Sequence, residues 1–263
     1  MAYDFLYEVS DGIARLTLNR PHVLNAITFD VYAQLHHLLE DLRTDDAVRV
    51  LVLTGEGNSF CSGGDVHEII GALLERDLTA HLEFTRMTGA VVRNMRLLEK
   101  PIIAAVNGIA AGAGAVLALA ADLRIASEAA RFAFLFTKVG LTGADMGAAY
   151  LLPRVVGMGR AMELLLLGET IDAATAERFG LVNRVVPHQQ LMPTTIEWAR
   201  RLAAGPTQAI GMTKRMLNNE QHMDLVAALE AEAQAQALML MGEDHRIFYE
   251  AFKKKVEPGF VGR

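Results

Sequence analysis

The chain has 263 residues, a net charge of −6 and 52% hydrophobic residues. That is enough apolar material to bury the core of one large domain, and it argues against disorder. The negative balance excludes a general attraction to nucleic acid or acidic membranes, so an anionic ligand must be met by local cations.

The first twelve residues carry early acids and no apolar run, unlike a secretory signal. Phe5–Val9 and Ile13–Leu18 flank Ser-Asp-Gly and read as a hairpin. Thr28 then precedes a helical pattern through Val31, Leu35, Leu38, Leu39 and Leu42. Val48–Leu53 is a β-branched strand, and the small polar residues from Thr54 to Gly64 read as a loop. Asp65 and Glu68 have capping-box spacing and should open a helix. A longer helix is expected over Leu78–Leu98. Ile102–Ala121 is apolar but holds Asn107, Gly108, Gly112 and Gly114, so it reads as a strand, a turn and a buried helix rather than a membrane span. Leu123–Ala126 and Arg131–Phe134 are further short strands. From about Met146 the chain is mainly helical except at Val182–Val186, with three or four helices over 196–252 and a break at Gly205-Pro206. The outline is α/β first and all-α last.

Two loops carry the chemistry. Phe60-Cys61-Ser62-Gly63-Gly64-Asp65 and Asn107-Gly108-Ile109-Ala110-Ala111-Gly112-Ala113-Gly114 each precede a helix, and the second directly follows an apolar strand. Amides in the first turn of a helix have no intrahelical partner and can donate to an anion. Missing side chains let a ligand approach the backbone. Each loop alone also fits an ordinary tight turn. Two together offer a pair of amides, as an oxyanion hole requires.

Other chemistries fit less well. Gly108-x-x-x-Gly112-x-Gly114 has a dinucleotide-site spacing, but it lies far from the first strand, and Tyr150 is followed by Leu-Leu-Pro-Arg154 rather than a lysine three residues on. The histidines are scattered, and adjacent His36 and His37 point differently on a helix, so no metal site is expected. Ser59 and Ser62 cannot be tied to a histidine or an aspartate. The single cysteine, Cys61, excludes an internal disulfide and fits a reducing, cytoplasmic location.

Five segments in order resemble the crotonase, or enoyl-CoA hydratase/isomerase, superfamily: 16–28 (LTLNRPHVLNAIT), 48–69, 100–127, 150–187 and 251–262. The resemblance covers nearly the whole chain. It implies a spiral of ββα units over 1–195 and a helical region over 196–263 that drives trimerisation, giving a homotrimer or a dimer of trimers. It implies an acyl-CoA thioester as ligand and no cofactor beyond the coenzyme A moiety of the substrate. It places the oxyanion amides on Gly64 and Ala113. Alanine stands where glycine is usual at the latter position, but it keeps the N–H.

Hydratases of the family use two glutamates, and this sequence has Val116 and Phe136 at those places. Asp145, in GLTGADMGAAYLLPR, falls where related isomerases carry a catalytic aspartate; the alternative is that it caps the helix starting near Met146. One carboxylate suits a 1,3 proton shift, because the same base can remove and return a proton. The sequence therefore leans towards double-bond isomerisation, with hydration and non-catalytic acyl-CoA binding as alternatives. Arg20, Leu24 and Ser62 lie where the family grips the coenzyme, and Lys255 and Phe260 match its terminal contacts. Asp65, Glu68 and Asp122 are expected to be structural, and His67 to face solvent.

Overall fold

The computed structural model describes residues 3–263. The hairpin forms from β1 (Phe5–Ser10) and β2 (Ile13–Leu18), turned by left-handed Asp11 and Gly12. Thr28 accepts from the Val31 amide at 3.2 Å and opens α1 (Phe29–Asp41), whose inner face buries Val31, Tyr32, Leu35, Leu38 and Leu39. β3 (Val50–Gly55) follows. The segment expected as loop contains a short strand, β4 (Ser59–Cys61). Beyond it come a π-helical stretch (Val66–Gly71), a short turn α2 (Ala72–Leu74) and α3 (Leu78–Leu97). β5 (Ile102–Val106) and β6 (Ile109–Ala111) lead into the fully buried α4 (Ala113–Ala120). β7 (Leu123–Ser127) and β8 (Arg131–Ala133) are followed by a 3-10 turn, then α5 (Ala148–Val156), α6 (Met158–Leu167), β9 (Thr170–Asp172), α7 (Ala173–Arg178) and β10 (Arg184–Val186). Four helices close the chain: α8 (Leu191–Ala203), α9 (Thr207–Asn219), α10 (Leu225–Leu240) and α11 (Glu243–Lys254).

The strands form two sheets, ordered β1-β2-β3-β5-β7-β10 and β4-β6-β8-β9. Each turn of the spiral contributes one strand to each sheet: β3 and β4, β5 and β6, β7 and β8. Pairing along these turns is parallel, which stacks equivalent loops side by side. β3 and β5 are buried on both faces, which is why they read as unbroken apolar runs. Val50, Val52, Ile103, Ala105 and Ile125 point to one face, where Leu191, Ala199 and Ala203 of α8 cover them. Leu51, Leu53, Ala104 and Val106 point to the other, into the main core with α1 and α4.

The division expected at 195/196 falls inside α8, whose apolar face belongs to the sheet. The chain leaves the sheet only at Gly205-Pro206, after which α9 begins. Buried Lys214 ties α9 back: its ammonium donates to the Met95 and Lys100 carbonyls at 3.0 and 3.1 Å and pairs with Asp122 at 2.7 Å. Asp122 also accepts from the Ile102 amide at 2.7 Å, so it is structural. α10 buries none of its residues, and Leu225, Val226, Leu229, Leu238 and Leu240 stand exposed on it.

Candidate active site

Because β4 and β6 are parallel neighbours, the loops that leave them run together. A β carbon built on Gly63 would lie 3.2 Å from the Ala111 carbonyl oxygen and 3.6 Å from the Ala113 nitrogen. Gly63 has φ +111° and Gly112 has φ +51°, ψ −122°, both in regions that L side chains rarely adopt. Gly112 is the N-cap of α4, so Ala113 is the first residue of that helix, with its amide free of the intrahelical ladder. The far end of α4 is capped by buried Arg124, which donates to the Leu119 carbonyl at 3.2 Å and to the Ala121 carbonyl. Two side-chain amides brace the approach: Asn25 and Asn107 both donate to the Ser59 carbonyl, at 2.8 and 3.0 Å.

The first loop is fixed from the other side by Ile27. Its amide donates to the Gly63 carbonyl at 2.8 Å, and its carbonyl accepts from the Asp65 amide at 2.9 Å. Successive amides of an extended segment alternate in direction, so the Gly64 N–H points away from Ile27. Asp65 caps the following turn, accepting from the His67 and Glu68 amides at 3.0 Å each. The Glu68 amide, and with it the Arg20 guanidinium, holds the Asp65 carboxyl below the usual aspartate range. The reciprocal half of the expected capping box does not form. The Asp65 amide is already used by Ile27, and the Glu68 carboxylate instead meets Arg20 at 2.8 Å. His67 is exposed.

The two places where glutamates were sought are closed to proton transfer: Val116 is wholly buried and Phe136 is 6% exposed. Asp145 is half-buried. Burial raises its carboxyl above the usual aspartate value, although the Met146 amide donates to it at 2.9 Å and opposes that shift. Asp145 does not cap α5; the N-cap there is Gly147, with no side-chain bond. Between this turn and the first loop stands Tyr32, fully buried, whose hydroxyl faces the Met146 sulfur at 3.9 Å. Burial pushes the Tyr32 phenol well above its ordinary value, with Cys61 and Asp145 adding to the shift. Cys61, at the root of the first loop, is buried, and its thiol is pushed up to about 12. Sequence reasoning missed Tyr32 and Met146. Tyr32 reads as one more apolar position of α1, and nothing in the sequence announces the left-handed backbone at Met146.

The expected coenzyme contacts fall into two groups. Arg20, Leu24 and Ser62 are neighbours: the Ser62 amide donates to the Leu24 carbonyl at 3.0 Å. Arg20 is not a free cation. Its guanidinium pairs with Asp65 at 2.9 Å and Glu68 at 2.8 Å and also bonds the Ala26 carbonyl. Leu24 is half exposed in a left-handed turn. Lys255 and Phe260 lie on the C-terminal helical part. Lys255 is the exposed, left-handed C-cap of α11, and Phe260 lines a cavity of about 720 Å³ with Met212, Met239 and Phe248. That cavity contains no residue of the two loops. Among the described residues no cluster of His, Cys, Asp or Glu could hold a metal, and no helix is long and apolar enough to cross a membrane.

The interleaved parallel sheets, with their adjacent helix-opening loops, define a crotonase-fold enzyme. Residues 8–263 match the enoyl-CoA hydratase/isomerase family, and the chain belongs to it. It is 40% identical to the 1,2-epoxyphenylacetyl-CoA isomerase of Escherichia coli (strain K12) over 98% of each chain. It is 35% identical to the short-chain-enoyl-CoA hydratase of Clostridium acetobutylicum, again over 98% of each. A crystal structure from Streptomyces coelicolor A3(2), assigned provisionally as an enoyl-CoA hydratase, is 54% identical and has a TM-score of 0.97, covering 98% of this chain and 94% of that one.

Proposed function

We propose that the enzyme receives the carbonyl oxygen of an acyl-CoA thioester between the Gly64 and Ala113 amides and rearranges the acyl group through the resulting enolate, with Asp145 as the base. A thioester carbonyl acidifies the carbon beside it. Removing that proton moves charge onto the oxygen, where preorganised amides stabilise the transition state more than the substrate. Asp145 takes the proton and returns it at another carbon, so the double bond migrates and no water is added. The observation that carries this reading is the pairing of buried Val116 and Phe136 with a half-buried Asp145 whose affinity for a proton is raised. The proximity of Gly63 to the Ala113 nitrogen supports the paired amides. The likeness to 1,2-epoxyphenylacetyl-CoA isomerase supports a rearrangement, and it extends the candidate substrates to arylacetyl-CoA epoxides.

The likeness to a short-chain-enoyl-CoA hydratase favours a second reading, addition of water with Asp145 and an ordered water. Leu24 and Ser62 are the proposed coenzyme contacts near the loops. Arg20 contributes through its backbone, its side chain being engaged by Asp65 and Glu68. Lys255 and Phe260 are proposed to reach coenzyme A from a neighbouring subunit of a homotrimer or a dimer of trimers. The bare apolar surface of α10 supports such an assembly. A cytoplasmic location is proposed from the single buried thiol.

The test is incubation with 2-enoyl-, 3-enoyl- and epoxyarylacetyl-CoAs in heavy water, followed by mass analysis. A double bond moved without gain of water, whether or not deuterium enters, supports isomerisation. Gain of water as the only change rejects it in favour of hydration.

A further inference from the structure

Met146 has φ +48°, and Gly147 follows with φ +87°. Glycine adopts such backbone freely. Methionine does so at a cost, and such residues persist where their surroundings over-determine them. Here the Ala148 amide closes the turn on the Asp145 carbonyl at 2.8 Å, and the Met146 amide donates to the Asp145 carboxylate at 2.9 Å. A β carbon built on Gly147 would lie 3.7 Å from Val92 of α3. The Gly147 carbonyl accepts from the Tyr150 and Leu151 amides at 3.1 and 2.9 Å, and the buried Met146 side chain adds a hold from α1, its sulfur accepting from the Tyr32 hydroxyl.

Tyr32 reaches this point from α1. Its ring meets Phe84 of α3 edge-on, with centroids 6.1 Å apart. Phe84 in turn meets Phe29 at 5.3 Å. These contacts need an aromatic ring and have no use for a hydroxyl. A buried hydroxyl whose bond among the described residues is to a thioether is poorly repaid for losing water. Phenylalanine would serve packing better, so the hydroxyl calls for a role beyond packing. The titratable groups that face it are Cys61, from β4, and Asp145, from the turn itself.

We propose that Tyr32 is a positioning residue: its hydroxyl, bonded to the Met146 sulfur, holds the left-handed turn that aims the Asp145 carboxylate. This rests on the reading of Asp145 as base. It assigns to α1 a part in the proton transfer that neither loop motif contains. A misplacement of about 1 Å in a reacting group can lower a rate by as much as a hundredfold, so a modest loosening of the turn is enough to be read kinetically.

The variants are Tyr32→Phe, Met146→Leu and the pair, each checked for an unchanged melting temperature and oligomeric state. Each single change is expected to lower kcat about tenfold, with KM within about twofold. The pair is expected to be no slower than the slower single, because both remove one contact. In both singles the acidic limb of kcat moves to lower pH, since a loosened turn lets the Asp145 carboxyl into water. Met146→Leu keeps the experiment decisive if Tyr32→Phe does not fold. Wild-type kcat and pH profile in a folded Tyr32→Phe or Met146→Leu protein overturns the proposal, as do losses that multiply in the pair. Asp145→Asn separates the two readings. Full turnover in that variant removes the base assignment itself. An inactive Asp145→Asn beside an unaffected Tyr32→Phe removes the positioning role alone.

Discussion

Gly114 lies flat against the backbone of Cys61: a β carbon at Gly114 would overlap the Cys61 carbonyl oxygen and come within 2.7 Å of the Cys61 side chain. This contact lets α4 start beside the end of β4, and so brings the two loops to one place. Gly114→Ala is expected to destabilise the fold by about 3 kcal/mol or more, because the obstructing atoms are backbone and cannot swing away. Urea denaturation of the variant measures the loss.

Proline at position 113 would remove the amide N–H and set its ring Cδ where the thioester oxygen is proposed to sit. Proline is tolerated at the first helical position, and Gly112, at φ +51° and ψ −122°, holds the mirror image of the extended backbone that proline requires before it. Ala113→Pro is expected to fold and to lose at least about a hundred- to a thousandfold in kcat, the typical effect of deleting one oxyanion donor, with acyl-CoA binding weakened by the ring. Steady-state kinetics with calorimetric binding separates the two effects.

Asp145→Asn is expected to abolish turnover and to spare coenzyme A binding. In the wild type, activity should fall as pH drops through a value above the usual aspartate 3.8, since burial raises this carboxyl. The sign for stability is the opposite of that for a paired carboxylate. A folded-state value above the unfolded one means that ionisation costs stability as pH rises through it. The Asn variant is therefore expected to melt no lower than the wild type at pH 7, as thermal scans would show.

Much of this architecture was legible in the sequence for identifiable reasons. Val50–Leu53 and Ile102–Val106 lie on central parallel strands buried on both faces, so their apolar runs were unambiguous, and Thr28 announced α1. β4, β6 and β9 have three residues each, too few for a periodicity to appear, and their strand character comes from pairing with one another and with β8. Gly63 and Gly112 were visible as glycines. That the Ala113 nitrogen lies 3.6 Å from where a Gly63 side chain would begin follows only from the parallel register of β4 and β6. Arg20 falls in a segment expected to grip the coenzyme, largely through its backbone. Its engagement with Asp65, forty-five positions on, is a tertiary contact that no local pattern encodes.

That ion pair gives a further test. The Asp65 side chain is 8% exposed and accepts two backbone amides as well as Arg20. Asp65→Ala is expected to cost about 2 kcal/mol, from the lost cap and the lost bond to Arg20, whose guanidinium keeps Glu68 and the Ala26 carbonyl. The Asp65 carboxyl is held below 3.8, so its stabilising effect is complete above that value and is lost as pH falls through the lower folded-state value. The stability gap between wild type and variant should therefore be constant near neutrality and close in strong acid. Equilibrium unfolding from pH 7 to pH 2 reads it.

A crystal structure with an unreactive acyl-CoA analogue addresses the paired amides directly. The prediction is a thioester oxygen about 2.7–3.1 Å from both the Gly64 and the Ala113 nitrogens, with the Asp145 carboxylate facing the acyl carbons. An oxygen bound by only one of those amides, or seated elsewhere, would contradict the account.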